Sequence, residues 1–368
     1  MVKVADRRRL RRARMAALGL APALGTAAAP ATALAVAREL GALQAQDYAS
    51  GAWSLGVRSG LTLAEIEQAV TDRQIVRTWP MRGTIHWVPA EDARWMCDLL
   101  APRVFSSVRT RHRQLGLEEQ DVQLARDLFE RHLAEPVSRP DVVALLAQAG
   151  VDPGEQRAYH LVGYHCMTGL LCQGPLIGKQ PSFVLIDSWV PFSRRPSREE
   201  AMATVAERYV RSHGPVTERD LAGWVAAPLG FAREALALVG DHILHEEVDG
   251  RTWLTHVDAS PALGRPAGVH LLPQWDEFLL GYKSRDVTLP DEHVTRVVPG
   301  RNMVFKPTLV VDGAVSGIWR RRAAKDSVVV EVTSFTTLTA RTRRALEAST
   351  AAYGRFLGHQ AELRLVEG

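Results

Sequence analysis

Cysteine and lysine are both scarce in this chain. Its three cysteines, Cys97, Cys166 and Cys172, are odd in number and contain no Cys-x-x-Cys pair. That argues against a disulfide framework and against a structural zinc site. They are expected as small core residues in a reducing compartment. Lysine occurs only at 3, 179, 283, 306 and 325, so the basic side is almost wholly arginine. Arginine suits bidentate phosphate contacts, although a GC-rich genome would give the same bias. Long apolar runs are missing too. The uncharged stretch from Met15 to Ala37 follows six arginines (Arg7 to Arg14) and imitates a secretory signal. It is mostly alanine, interrupted by Pro22 and Pro30, and has too little transfer energy to span a bilayer. The expectation is a cytoplasmic protein without a membrane partner.

Common catalytic signatures are also absent. There is no His-Glu-x-x-His and no Gly-x-Ser-x-Gly, and Gln180 stands where a phosphate loop after Gly174–Lys179 needs Ser or Thr. His160, His165 and Cys166 lie close together but supply too few ligands for a metal, so packing or phosphate contact is expected there. No metal and no cofactor are expected.

What is present is a globular composition. The chain has 368 residues, 46% hydrophobic and 23% charged, with a net charge of +4. Two to four domains follow from the length, and the mild basic excess permits a polyanionic partner. Residues 5–20 read as a short basic helix, and Pro30 suits the first turn of the next. Leu34, Ala37, Leu40 and Leu43 then form an apolar helical stripe that runs up to Gln44-Ala45-Gln46. Ser50 and Gly51 follow as a stop signal. Thr62-Leu63-Ala64-Glu65 is a capping box. Ile75 to Val88 reads as a hairpin around Met81-Arg82-Gly83, and Glu91-Asp92-Ala93 opens another helix.

A repeat comes next. Residues 135–142 (Glu-Pro-Val-Ser-Arg-Pro-Asp-Val) align with 214–221 (Gly-Pro-Val-Thr-Glu-Arg-Asp-Leu). Each copy follows an amphipathic helix, at 122–133 and 199–211. Each carries a hydroxyl residue able to cap a second helix and continues into a third helix and paired strands. The strands fall within 170–186 and 242–254, the latter around an Asp249-Gly250 turn. Helix–turn–helix with a wing is the pattern. A polar linker at 193–198 and a proline-rich stretch from Pro261 to Pro266 mark boundaries. Beyond 268 the texture turns β-rich, with a hairpin at Asp312-Gly313, a strand at 328–332 and a closing helix from Thr339 to Leu357.

Four stretches together resemble one family. They are Leu40 to Ala49, Ile75 to Trp87, Leu271 to Asp276, and Asp312-Gly313 with Trp319-Arg320-Arg321. In order they are similar to the tandem winged-helix DNA glycosylases, and the Gln-apolar-Gln triplet matches the azinomycin-resistance branch rather than the sister branch with Asp at the second position. The resemblance spans nearly the whole chain. It implies an α+β fold of three tandem winged-helix modules, at 1–112, 113–192 and 193–262, followed by a barrel-like β-rich domain at 263–368 with a closing helix.

The resemblance also implies a chemistry. Carboxamides are poor proton acceptors but good at orienting water through hydrogen bonds. A guanine alkylated at N7 carries positive charge and departs as a neutral base, so the leaving group needs no acid. The expected activity is monofunctional hydrolysis of the N-glycosidic bond of N7-alkylguanine lesions, including bulky or interstrand-crosslinked adducts, in DNA repair or resistance to a genotoxic natural product. Gln46 would position the water and Gln44 would contact the nucleotide or the water. Asp47 is the rival charged candidate, and its bland reading is a helix-end carboxylate. Read from composition alone, Gln44 and Gln46 are an ordinary solvated helix end. Arg82, Thr84 and His86 at the first wing, and Lys306, Arg320 and Arg321 near the later hairpin, are candidates for DNA contact, with exposed basic side chains as the competing view. The partner is damaged double-stranded DNA, bound by a monomer at the nucleoid. The nine tryptophans are expected mostly in the core. The alternatives are a non-catalytic winged-helix transcriptional regulator, usually a symmetric dimer on spaced half-sites, and a repair accessory that binds damage without cutting.

Overall fold

The computed structural model describes residues 4–21, 32–259, 268–300, 304–323 and 327–367. Pro30 and the Pro261–Pro266 boundary lie outside the described residues. The first helix, α1 (Val4–Ala17), is the basic helix read from the sequence. α2 (Ala33–Leu40) begins behind Thr32, whose hydroxyl accepts the Ala35 N–H at 3.0 Å. β1 (Leu43–Gln44), α3 (Tyr48–Ser59) and α4 (Leu63–Thr71) follow. Thr62 and Glu65 form the expected box, with the Thr62 N–H donating to the Glu65 carboxylate at 2.7 Å and the Glu65 N–H donating back at 3.3 Å. The hairpin β2 (Ile75–Met81) and β3 (Thr84–Pro89) turns at Arg82 and Gly83. Both turn residues have positive φ, 59° and 67°, which matches the twist of the flanking strands.

After α5 (Ala93–Leu100) and α6 (Phe105–Gln114) comes the first copy of the repeat. It contains α7 (Glu119–His132), β4 (Val137–Ser138), α8 (Arg139–Gln148), α9 (Arg157–Met167), β5 (Leu171–Gln173) and β6 (Ser182–Leu185), closed by α10 (Ile186–Trp189). The second copy contains α11 (Arg198–His213), α12 (Glu218–Trp224), α13 (Leu229–Val239), β7 (Ile243–Val248) and β8 (Arg251–His256). Ser138 caps α8 and the Thr217 hydroxyl accepts the Asp220 N–H at 3.2 Å, so the paired hydroxyls do the same work in both copies. Pairing repeats as well. β4 joins β6, which joins β5, while Val216 bridges Leu254 of β8, which joins β7. Helix, short strand, helix, helix and hairpin also succeed one another from α2 to β3.

The remainder holds β9 (Val269–Leu272), α14 (Glu277–Leu280), α15 (Val294–Val297), β10 (Thr308–Val311), β11 (Ala314–Ala323), β12 (Ser327–Ser334), α16 (Ala340–Leu357) and β13 (Gln360–Leu365). Its five strands form an open, curled sheet in the order β13-β12-β11-β10-β9. Thr339 caps α16 through its hydroxyl, as its position before the apolar run suggests. The chain does not close on that helix. β13 returns to pair parallel with β12, its Ala361, Leu363 and Leu365 alternating with polar residues.

By chain contacts the molecule divides into two compact units. One comprises residues 1–66, 203–224 and 228–368; the other comprises 67–202 and 225–227. In the larger unit, Trp53, Trp319, Tyr353 and Phe356 pack with ring centroids 4.9–5.0 Å apart along α3, β11 and α16. In the smaller unit the strands run β3-β2-β5-β6-β4 over a core that includes Trp79, Trp87, Phe129 and Leu161. All three cysteines are buried and unbridged, and burial pushes the Cys97 thiol up to about 12. Of the nine tryptophans, only Trp275 is not buried.

Candidate active site

The glutamine triplet does not sit on a helix end. α2 stops earlier, at Gly41, whose φ of 76° is unfavourable for any residue with a side chain. Leu43 and Gln44 are extended as β1, and Ser50 and Gly51 lie inside α3 rather than ending a helix. Gln44 is 8% exposed, Ala45 is fully buried and Gln46 is exposed. Asp47 begins α3 as its N-cap, with Oδ1 accepting the Ser50 N–H at 2.8 Å. The chain then bends at Gln46, so the two amides leave a short non-helical segment, Gln44 buried and Gln46 exposed, and no distorted helix is involved.

α3 is held at its middle. Asp276 Oδ2 accepts from the Ser54 hydroxyl at 2.7 Å and from Arg58 Nη1 at 2.8 Å, while Oδ1 accepts from Arg58 Nη2 at 2.8 Å. Asp276 is also the N-cap of α14, through the Phe278 N–H at 2.9 Å. Desolvation pushes this carboxyl up, but the charge and hydrogen bonds of Arg58, with Ser54 and Phe278, outweigh it and hold it below its ordinary value. Trp53 Nε1 donates to the Leu271 carbonyl at 2.7 Å and Trp319 Nε1 to the Leu272 carbonyl at 2.8 Å. Two of the four stretches that carry the resemblance are thereby tied together, Trp319 to Leu272, and Leu271–Asp276 also holds α3, the helix that begins at the end of the first stretch. The sequence signal for Asp276 is local, an acid placed just before Glu-Phe-Leu-Leu, where a cap belongs. Neighbouring Trp275 has a φ of 60°, uncommon for a bulky side chain. Such backbone concentrates at functional sites, and nothing in the sequence signalled it.

At the first hairpin, Arg82, Thr84 and His86 are brought together, in the smaller unit. His86 is fully buried, while Thr84 and Arg82 are partly exposed. Its Nδ1 lies 2.8 Å from the Thr84 carbonyl, which can only accept, so the ring proton sits on Nδ1. Nε2 is then free to accept from Arg82 Nη2 at 2.7 Å. Burial, followed by the Arg82 charge, lowers the His86 pKa well below its usual value, so the ring is neutral at pH 7. His86 has no exposed surface of its own and acts on its surroundings through Arg82.

Lys306, Arg320 and Arg321 are exposed, and lie away from the Asp312–Gly313 turn, toward the β11–β12 end of the sheet. Strand alternation splits them. Arg320 and Arg322 reach Glu331 at 2.6 and 3.1 Å on one face, while Arg321 approaches the Tyr353 hydroxyl at 3.5 Å on the other. His165 is buried with Nε2 donating to the Val122 carbonyl at 3.1 Å, a packing role. No single described helix is long and apolar enough to cross a membrane.

The profile of the family described as DNA glycosylase AlkZ-like matches residues 37–356. The chain belongs to this family and is a DNA glycosylase, with DNA as its substrate. It is 26% identical over 293 residues to the interstrand DNA cross-link repair glycosylase of Streptomyces sahachiroi, an alignment covering 75% of this chain and 79% of that protein. The solved structure of Streptomyces sahachiroi DNA glycosylase AlkZ is similar across 98% of this chain and 99% of that one, with a TM-score of 0.80 and 24% identity. That likeness establishes a common fold.

Proposed function

We propose that this glycosylase hydrolyses the N-glycosidic bond of N7-alkylguanine lesions in duplex DNA, with bulky and interstrand-crosslinked adducts among its substrates. The related Streptomyces protein is named for cross-link repair. Gln46 positions the attacking water and Gln44 fixes it against the nucleotide. The base is cationic before the bond breaks, so two neutral amides suffice and no protonating acid is required. A large adduct is hard to rotate into a tight pocket, so the lesion is engaged from the groove with limited flipping. The enzyme works as a monomer at the nucleoid in the cytoplasm, as a monofunctional repair or self-resistance activity. Its winged-helix modules fall at 1–112, 113–192 and 193–262, ahead of the β-rich domain at 263–368. Arg82, Lys306, Arg320 and Arg321 supply phosphate contacts. Thr84 and His86 hold Arg82 in place.

The observation that carries this reading is the extended Leu43–Gln44 strand running into the Asp47 cap. It leaves the neighbouring carboxylate occupied as a helix cap and Gln46 exposed beside it. The test separates amide from carboxylate. Gln46→Ala should abolish release of N7-methylguanine from methylated duplex DNA while gel-shift affinity stays within about twofold. Asp47→Asn keeps a good cap and removes the charge, so it should retain release. Lost activity in Asp47→Asn, or full activity in Gln46→Ala, overturns the assignment.

A further inference from the structure

Three ligand-type side chains meet at the open end of the β7–β8 hairpin, opposite its Asp249–Gly250 turn. Glu207 comes from α11, His242 from the short 3-10 turn before β7, and His256 from the last position of β8. The strand register pairs Ile243 with His256, and the Val257 N–H donates to the His242 carbonyl at 2.9 Å, so both histidines are fixed by the same backbone ladder. Glu207 Oε1 lies 3.4 Å from His242 Nδ1 and 3.5 Å from His256 Nε2. All three ligand atoms lie within 4.8 Å of one another. A tetrahedral ion bonded at about 2.0–2.2 Å holds its ligand atoms roughly 3.3–3.5 Å apart, which is the spacing around Glu207.

A second observation points the same way. His256 is 2% exposed, and its Nε2 makes no hydrogen bond. Buried polar atoms are nearly always partnered, and this one is aimed at the carboxylate and the other imidazole. We propose that Glu207, His242 and His256 form a site for a divalent transition ion such as Zn2+, with water as the fourth ligand. Two imidazoles with one carboxylate favour zinc, cobalt, nickel or copper over magnesium or calcium. The fourth position opens to solvent, because the His242 side chain is 63% and the Glu207 side chain 36% exposed.

The unloaded site carries its own tautomer logic. His256 Nδ1 accepts the Asp258 backbone N–H at 3.2 Å, so the ring proton is on Nε2. An ion on Nε2 requires that proton to move to Nδ1, which gives up the hydrogen bond from the Asp258 N–H. The Asp258 carboxylate, with Oδ2 3.6 Å from Nδ1, is placed to accept it. A carboxylate behind a ligating imidazole raises its basicity and fixes its orientation. The ion joins α11 to both strand ends of the hairpin.

The test uses full-length, tag-free protein stripped with a chelator. Co2+ should bind at one equivalent and give the intense visible absorption of a tetrahedral site, displaced by Zn2+. Zn2+ should raise the melting temperature. His242→Ala and Glu207→Gln change partly exposed side chains, so both should fold, as judged by unchanged far-ultraviolet circular dichroism, and both should lose the cobalt band and the zinc-dependent shift. Asp258→Asn should bind about tenfold more weakly. Absence of stoichiometric binding, or binding unchanged in both His242→Ala and Glu207→Gln, overturns the proposal. Neither readout depends on base release, so the outcome is independent of the catalytic reading.

Discussion

Replacing Asp276 by asparagine should cost the larger unit about 3–5 kcal/mol. The estimate follows from the burial of both partners. The Arg58 and Asp276 side chains are only 2% and 3% exposed, and their bond at 2.8 Å is one arm of a bidentate pair. Removing one member of a buried pair leaves the other charge without compensation, which is the costly case. Asparagine retains one oxygen for the cap on Phe278, so the loss reports the charge and not the cap. Against a total stability of about 5–15 kcal/mol, the change is readily measured by urea unfolding with the slope checked for constancy. The pH dependence adds a sign. The Asp276 carboxyl is held below its ordinary 3.8. A depressed carboxylate stabilises the folded state fully above its unfolded pKa and loses that contribution as pH falls through the folded one. The gap between wild type and Asp276→Asn should therefore stay constant from pH 8 to about pH 5 and close only in stronger acid. Arg58→Met should cost a similar amount, and the double variant markedly less than the sum. A loss under about 1 kcal/mol, or a gap that closes between pH 7 and pH 5, would refute the reasoning.

Two further outcomes follow from packing and burial. Gly56→Ala places a Cβ 2.6 Å from Cδ2 and 2.9 Å from Cε2 of Phe356, so instead of the usual helix gain it should lose about 1–3 kcal/mol in thermal unfolding. His165 is lowered by burial from 6.5 to about 4, so the unfolded chain takes up a proton that the folded one refuses. Stability from this neutral ring is complete above pH 6.5 and is lost as pH falls toward 4; the His165→Phe variant should lack about 2 kcal/mol of the wild-type decline between pH 7 and pH 5. Identical pH slopes for wild type and variant would exclude His165 as the cause.

What the sequence made legible was local. The Thr62–Glu65 box, the turns at Asp249–Gly250 and Asp312–Gly313, and the hydroxyl caps at Ser138 and Thr217 each depend on neighbours within a few residues, and each is in place. The repeat was legible for the same reason, since a cap and a wing recur at fixed offsets. What escaped was long-range. Asp276 meets Arg58 across 218 residues, and Glu207 meets two histidines from the far end of a hairpin. No periodicity encodes such meetings. β13 escaped differently. Six residues with half-exposed faces give a weak alternation, and only its parallel pairing with β12 makes a strand of it.

The glutamine triplet shows why one glycine can reverse a reading. The apolar stripe at Leu34, Ala37, Leu40 and Leu43 has helical period, and a helix carried through it would throw Gln44 and Gln46 to opposite sides. Gly41 ends the helix before the stripe is complete, and Leu43 becomes a strand residue whose burial satisfies either pattern. Leaving the helix at Gly41 frees the two amides from that helical geometry. The proposed chemistry demands precision, because a pair of amides steering one water would tolerate little displacement, and a misplacement near 1 Å can cost about a hundredfold in rate. A two-residue strand is short, and the helix it runs into, capped by Asp47 and clamped at Ser54 and Arg58 by Asp276, adds rigidity. The buried ion pair is then the remote support of the proposed chemistry, and its loss should show in turnover before it shows in DNA affinity.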